Sequence, residues 1–264
     1  MKYLLSTLAL LLSNIALIYA CPSTGDIPAN YNVYRVCDDI KTPYFCPPNY
    51  KQRNLQTWQQ ETDLHIPLDH IEEVIYRYSS SMYEACMKKP QMAQKNKFVQ
   101  YLATGLGNAY PKKLLSLAKR VEEARSSKND PWYYPSSRED GNTTLDLLLC
   151  EVDKLEKYFV DNVGNDSFYV KRLQLQRVRL LFSLGRYADC IELWENKVQH
   201  WDTNELMRSM IKDYIAGAYQ HLGKETIARQ YYLEQGHYQT LAEWSSSRTG
   251  NYAAFVREIY DFNP

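Results

Sequence analysis

Apolar residues recur at three- and four-residue steps along most of the chain. The pattern is clearest between Tyr169 and Tyr232, where it predicts two helical hairpins of one design. In the first, Tyr169 to Val198, an apolar helix runs into Leu184-Gly185-Arg186-Tyr187. The return helix carries Tyr187, Cys190, Ile191, Trp194 and Val198 on a single stripe. In the second, Ile211, Tyr214, Ile215, Ala218 and Leu222 form the outgoing stripe. Leu222-Gly223 makes the turn, and Ala228, Tyr231 and Tyr232 begin the return. Gly250-Asn251-Tyr252 echoes Gly185-Arg186-Tyr187, with Phe255, Val256 and Ile259 continuing a stripe, so a third, shorter unit is expected there.

Upstream the same period predicts more helices. Leu55 and Trp58 share a face of a short helix over 54–63. Asp69 with Glu72 three residues on has the form of a capping box, and the helix it opens is expected to run to Lys88 with Val74, Ile75, Tyr78, Met82 and Ala85 inside. Lys95 to Thr104, a turn at Gly105-Leu106-Gly107-Asn108, and a helix from Pro111 to about Ser126 suggest another hairpin. A loop over 129–143 follows, then a helix over 145–160 with Leu148, Val152, Leu155 and Phe159 on one side. Prolines at 22, 28, 43, 47 and 48 leave residues 21–53 as an irregular arm. The chain is therefore expected to be all-α, built of antiparallel helical hairpins. Its divisions are a signal peptide over 1–20, the arm over 21–53, a helical N-terminal region over 54–168, and repeats over 169–264.

Composition narrows the function class. At 264 residues, 45% of them hydrophobic, the chain has enough apolar material for a core. Lys plus Arg equal Asp plus Glu at 31 each, which gives no footing for nucleic acid. Lys2, the mostly apolar run Tyr3 to Ile18 and the small residue Ala20 have the form of an export signal. Ile18-Tyr19-Ala20-Cys21 resembles a bacterial lipobox, which implies acylation of Cys21 and a membrane attachment through lipid alone. Ordinary cleavage with Cys21 in a disulfide, or an uncleaved anchor, are the alternatives. Cys37 and Cys46 stand in the irregular arm and are able to close a small loop in an oxidising compartment, whereas Cys86, Cys150 and Cys190 fall on helical stripes and read as small buried hydrophobes.

No motif for catalysis stands out. His65 and His70 are separated by Pro67 and do not share a helical face, and no cysteine pair has zinc-site spacing, so neither a metal nor a cofactor is expected. His200, His221 and His237 lack a neighbouring nucleophile in a known motif. Glu72-Glu73, Glu122-Glu123 and Glu139-Asp140 read as solvated charges, as do Lys112, Lys113, Lys119 and Arg120.

The turns carry a resemblance. Leu184-Gly185-Arg186-Tyr187 with Cys190 and Trp194, and Ile215-Ala216, Tyr219, Leu222-Gly223, Ala228 and Tyr232, are similar to the tetratricopeptide family. Its units are about 34 residues long; here Gly223 follows Gly185 by 38. With Cys21, the Trp58 helix and Ile66-Pro67-Leu68-Asp69-His70, the chain also looks like long exported helical-repeat proteins of Gram-negative gut-type bacteria. The resemblance implies a tetratricopeptide-like solenoid in the bacterial envelope, at the outer membrane, acting as a non-catalytic scaffold. A solenoid needs a polar terminal cap, and Asp261-Phe262-Asn263-Pro264 comes directly after a hydrophobic helix, so a longer protein or a covering partner is expected. In such arrays the first helix of each hairpin lines a groove for peptide segments, and the matching positions are Arg172, Arg179, Asp213, Gln220 and His221. A glycan-binding lipoprotein is the alternative, with Trp132, Tyr133 and Tyr134 stacking on sugar rings, and a peptidoglycan-cleaving enzyme comes third.

Overall fold

Helix α1 (Tyr50–Glu61) opens the described part of the chain. The computed structural model describes residues 50–104, 109–129 and 138–236, for 126–129 and 138–140 the backbone alone. They all belong to one unit, residues 48–264, which is distinct from residues 1–47. The leader, Cys21, Cys37 and Cys46, the turn at 105–108, the aromatic trio Trp132, Tyr133 and Tyr134, and the expected unit around Tyr252 lie outside the described residues. Among those described the secondary structure is helical throughout, in ten α-helices with short 3-10 and π segments and no strand.

On α1, Leu55 and Trp58 are both buried, and Trp58 meets Phe98 and Phe168 edge to face at 6.1 and 5.0 Å between ring centroids. The next stretch departs from the continuous helix expected over 69–88. Helix α2 (Leu68–Glu72) starts at Pro67, with Asp69 inside the first turn rather than at the cap. It widens into a π turn over Glu73–Arg77 and ends as Tyr78 swings to ψ 133. Ser79 then caps α3 (Ser80–Lys88), its hydroxyl accepting the Met82 amide at 3.1 Å. Serines compete with the helix for backbone hydrogen bonds, and three follow Tyr78. The break rotates the stripe, so Tyr83, Cys86 and Met87 are buried while Met82 is exposed. After α4 (Lys97–Ala103), capped by Asn96, three hairpins follow.

They are α5 (Ala109–Asn129) with α6 (Arg138–Val163), α7 (Phe168–Ser183) with α8 (Tyr187–Asn196), and α9 (Leu206–His221) with α10 (Glu225–Glu234). Helix α6 begins before the helix expected over 145–160, taking in part of the loop expected over 129–143. Its stripe is Leu145, Leu148, Leu149 and Val152, all buried, and Cys150 falls off it and is exposed, contrary to the buried position expected. Each first helix also packs on the next, α5 on α7 and α7 on α9, and each return helix packs on the following outgoing one, α6 on α7 and α8 on α9.

The two Leu-Gly turns close by one device. Gly185 and Gly223 adopt φ 76 and 73, in the left-handed region, and their added Cβ would meet nothing, so conformation rather than space selects glycine. At the first, Gly185 donates to the Phe182 carbonyl and Arg186 to that of Leu181; at the second, Gly223 donates to Gln220 and Lys224 to Tyr219. Both are Schellman motifs. Space does matter at Gly217, where a Cβ would stand 3.1 Å from the Phe182 ring, so α7 and α9 approach closely there. Between return helices, the Trp194 indole donates to the Tyr231 hydroxyl at 3.1 Å.

Candidate functional site

The first helices of the three hairpins turn one face each toward a shared cavity of about 260 Å³. From α5 come Leu114, Leu115, Ala118, Lys119 and Glu122; from α7 Arg172, Leu175, Gln176 and Arg179; from α9 Met207, Met210 and Tyr214. On α7 the spacing is i, i+3, i+4, i+7 and on α9 i, i+3, i+7, a single helical face in each case. Asn54 and Trp58 of α1, with Ile75 and Tyr76 of the π turn, complete the lining.

Three cations meet there under different constraints. Lys119 is buried at 4% exposure and donates to the Ile75 and Tyr78 carbonyls at 2.6 and 2.7 Å, which seals the end of the π turn. Burial lowers its pKa, and Glu122, at 3.9 Å, pulls the other way. Arg172, 5% exposed, lies 3.9 Å from the Phe168 ring centroid and 5.1 Å from that of Trp58. Its Nη2 donates to Asn54 Oδ1 at 2.7 Å and Thr57 Oγ1 at 2.8 Å, so it holds α1 on α7. Its Nε–H is buried with no acceptor. Burial pushes its pKa down to about 9, so the guanidinium stays charged at neutral pH. Arg179 is half-buried, donates to Gln176 Oε1 at 3.0 Å and is hydrogen-bonded with Tyr214; burial lowers its pKa as well.

Several cations on or beside these helices are paired with carboxylates. Arg177 donates to Asp153 and Glu156, Lys197 to Glu156 at 2.7 Å, Arg186 to Asp189, and Arg120 to Glu151. No such pair holds Arg172 or Arg179 among the described residues. Carboxylates at a distance from Arg172 are engaged elsewhere: Glu205 takes Lys171 at 3.4 Å, and Glu61 is hydrogen-bonded with Tyr169.

Of the five groove positions drawn from the sequence, the structure brings Arg172 and Arg179 together on the cavity. Asp213 stands at the contact between α9 and α1, accepting from Gln235 at 3.2 Å and hydrogen-bonded with the Tyr50 hydroxyl, whose pKa rises through burial and this carboxylate. Gln220 and His221 lie at the far end of α9. The first accepts from the Tyr232 hydroxyl at 3.0 Å, and the second stacks on Tyr187 at 4.4 Å. Lys119, expected on a solvated face, is a correction: it follows Leu115 by four residues, inside the apolar stripe, and that spacing was the available signal. Gln176, Tyr214 and the two methionines went unrecognised because polar and apolar members of a groove look like an ordinary amphipathic face.

No group of histidine, cysteine, aspartate and glutamate able to hold a metal occurs among the described residues, and none of their helices is long and apolar enough to cross a membrane. The chain matches no protein-family model, no curated protein and no solved structure.

Proposed function

We propose that the protein is an exported, lipid-anchored scaffold of the bacterial envelope, a tetratricopeptide-like solenoid that holds a peptide segment of a partner protein across α5, α7 and α9. The supporting observation is the cavity itself, a concave site made by one face from each of three successive first helices. The stacking of α5 on α7 and α7 on α9, and the repeated Schellman turns, favour the solenoid reading. Helix α1 illustrates how this face takes a chain segment, with Asn54 and Thr57 on Arg172 and Tyr50 on Asp213. Half-buried Arg179 and exposed Glu122 provide a positive and a negative contact for a further segment. Charge-assisted hydrogen bonds to such a segment are the stronger kind.

The test is capture from detergent-solubilised envelopes by the mature chain and by its Arg179→Ala variant, with the intact mass of the bait taken from its native membrane. The expected result is a diacylglyceryl group plus acyl chain on Cys21, and a retained protein whose capture falls about tenfold in the variant, as for a hot-spot arginine. An unmodified mass, with capture indifferent to Arg179, overturns both parts of the reading.

A further inference from the structure

We infer that the cavity beneath α1 is a binding site for a small amphipathic carboxylate, a carboxyl group on an aliphatic chain, with its head at Arg172. This goes beyond peptide capture and does not depend on it. Charge is the first reason. Lys119, Arg172 and Arg179 line the cavity against the single carboxylate of Glu122, and Arg125 adds to the positive field at Arg179. An unpaired buried guanidinium is costly, and an anion relieves that cost. Arg172 has no carboxylate partner among the described residues, and its buried Nε–H finds no acceptor within the protein while Nη2 is taken by Asn54 and Thr57. A carboxylate oxygen is a natural partner for this planar donor group.

The rest of the lining selects the body of the ligand. Leu114, Leu115, Ala118, Leu175, Met207 and Met210 are apolar, and methionine adapts to chains of different shape. Arg172 and Arg179 are two turns apart, about 10 Å along the helix at 1.5 Å per residue, so a chain anchored at the first runs past Leu175 toward the second. A cavity of about 260 Å³ is many times the share of one water and near the lower bound of small-molecule pockets. That size suits a short aliphatic acid.

The experiment is titration calorimetry of the mature chain with sodium octanoate, with octanol and acetate as probes of tail and head alone. Octanoate is expected to bind one to one, with octanol and acetate each at least about tenfold weaker, because a hydrogen bond to a charged group and a buried chain both contribute. Arg172→Met is expected to keep its helical content and lose octanoate affinity by about tenfold or more. Ala118→Leu, which leaves both arginines in place and fills part of the cavity, is expected to prefer butyrate over octanoate. No octanoate binding up to about 5 mM, equal binding of octanol, or unchanged affinity in both variants would overturn the site. Failure here leaves peptide capture standing, because the titration contains no partner protein and Arg179 is left unaltered.

Discussion

Trp58→Ala is expected to destabilise the helical unit by about 3–5 kcal/mol, the range for truncating a buried large aromatic. Trp58 is 3% exposed and stands between Phe98 of α4 and Phe168 of α7, with the Arg172 guanidinium over its ring. Its loss removes apolar contact on two sides, toward α4 and toward α7. Leu55 is then the remaining buried side chain of α1. Urea denaturation followed by circular dichroism measures the effect. A change below about 1 kcal/mol, the size of an ordinary mutation, contradicts the docking of α1.

Lys119→Met is the second large effect. The substitution keeps the aliphatic stem in place but leaves the Ile75 and Tyr78 carbonyls without their donor. Leaving a buried carbonyl unsatisfied costs about 1–3 kcal/mol, and these two are part-buried. Removing a charge that burial already disfavours offsets part of this. A net loss of about 2–4 kcal/mol in the same urea experiment is expected. The junction of the π turn with α3 should open first, giving faster amide exchange around Tyr78 and Tyr83. An unchanged midpoint with unchanged exchange at these residues would mean that Lys119 does not seal the turn.

These two residues show where reading the chain succeeds and where it stops. Trp58 was legible because Leu55 and Trp58 repeat at helical spacing, and both are buried. The hairpins around Gly185 and Gly223 were legible because two signals coincide, a stripe at the helical period and a glycine at the left-handed position. The break at Tyr78 was not, since a π turn and a serine cap outweigh the apolar period that continues through them. Lys119 was hidden by the usual exposure of lysine, although its place in the stripe marked it.

The cavity was half legible. Arg172 and Arg179 stand out as charges inside an apolar helix, and both line it. Its cover did not, because Asn54 precedes Arg172 by 118 positions and nothing local records that α1 returns to α7. Polar residues at the end of α9 had the same appearance in the sequence as those in its middle. Gln220 and His221 instead meet Tyr232 and Tyr187, partners from the adjoining return helices.

The most direct measurement is photo-crosslinking in living cells, with a benzoylphenylalanine placed at Glu122 on the cavity and, in a second strain, at Leu147. Leu147 is 67% exposed on α6 and does not line the cavity. Crosslinking of a partner protein from position 122 and not from 147 is the expected result. Capture from 147 with none from 122 would contradict the claim that the face shared by α5, α7 and α9 is where this protein binds.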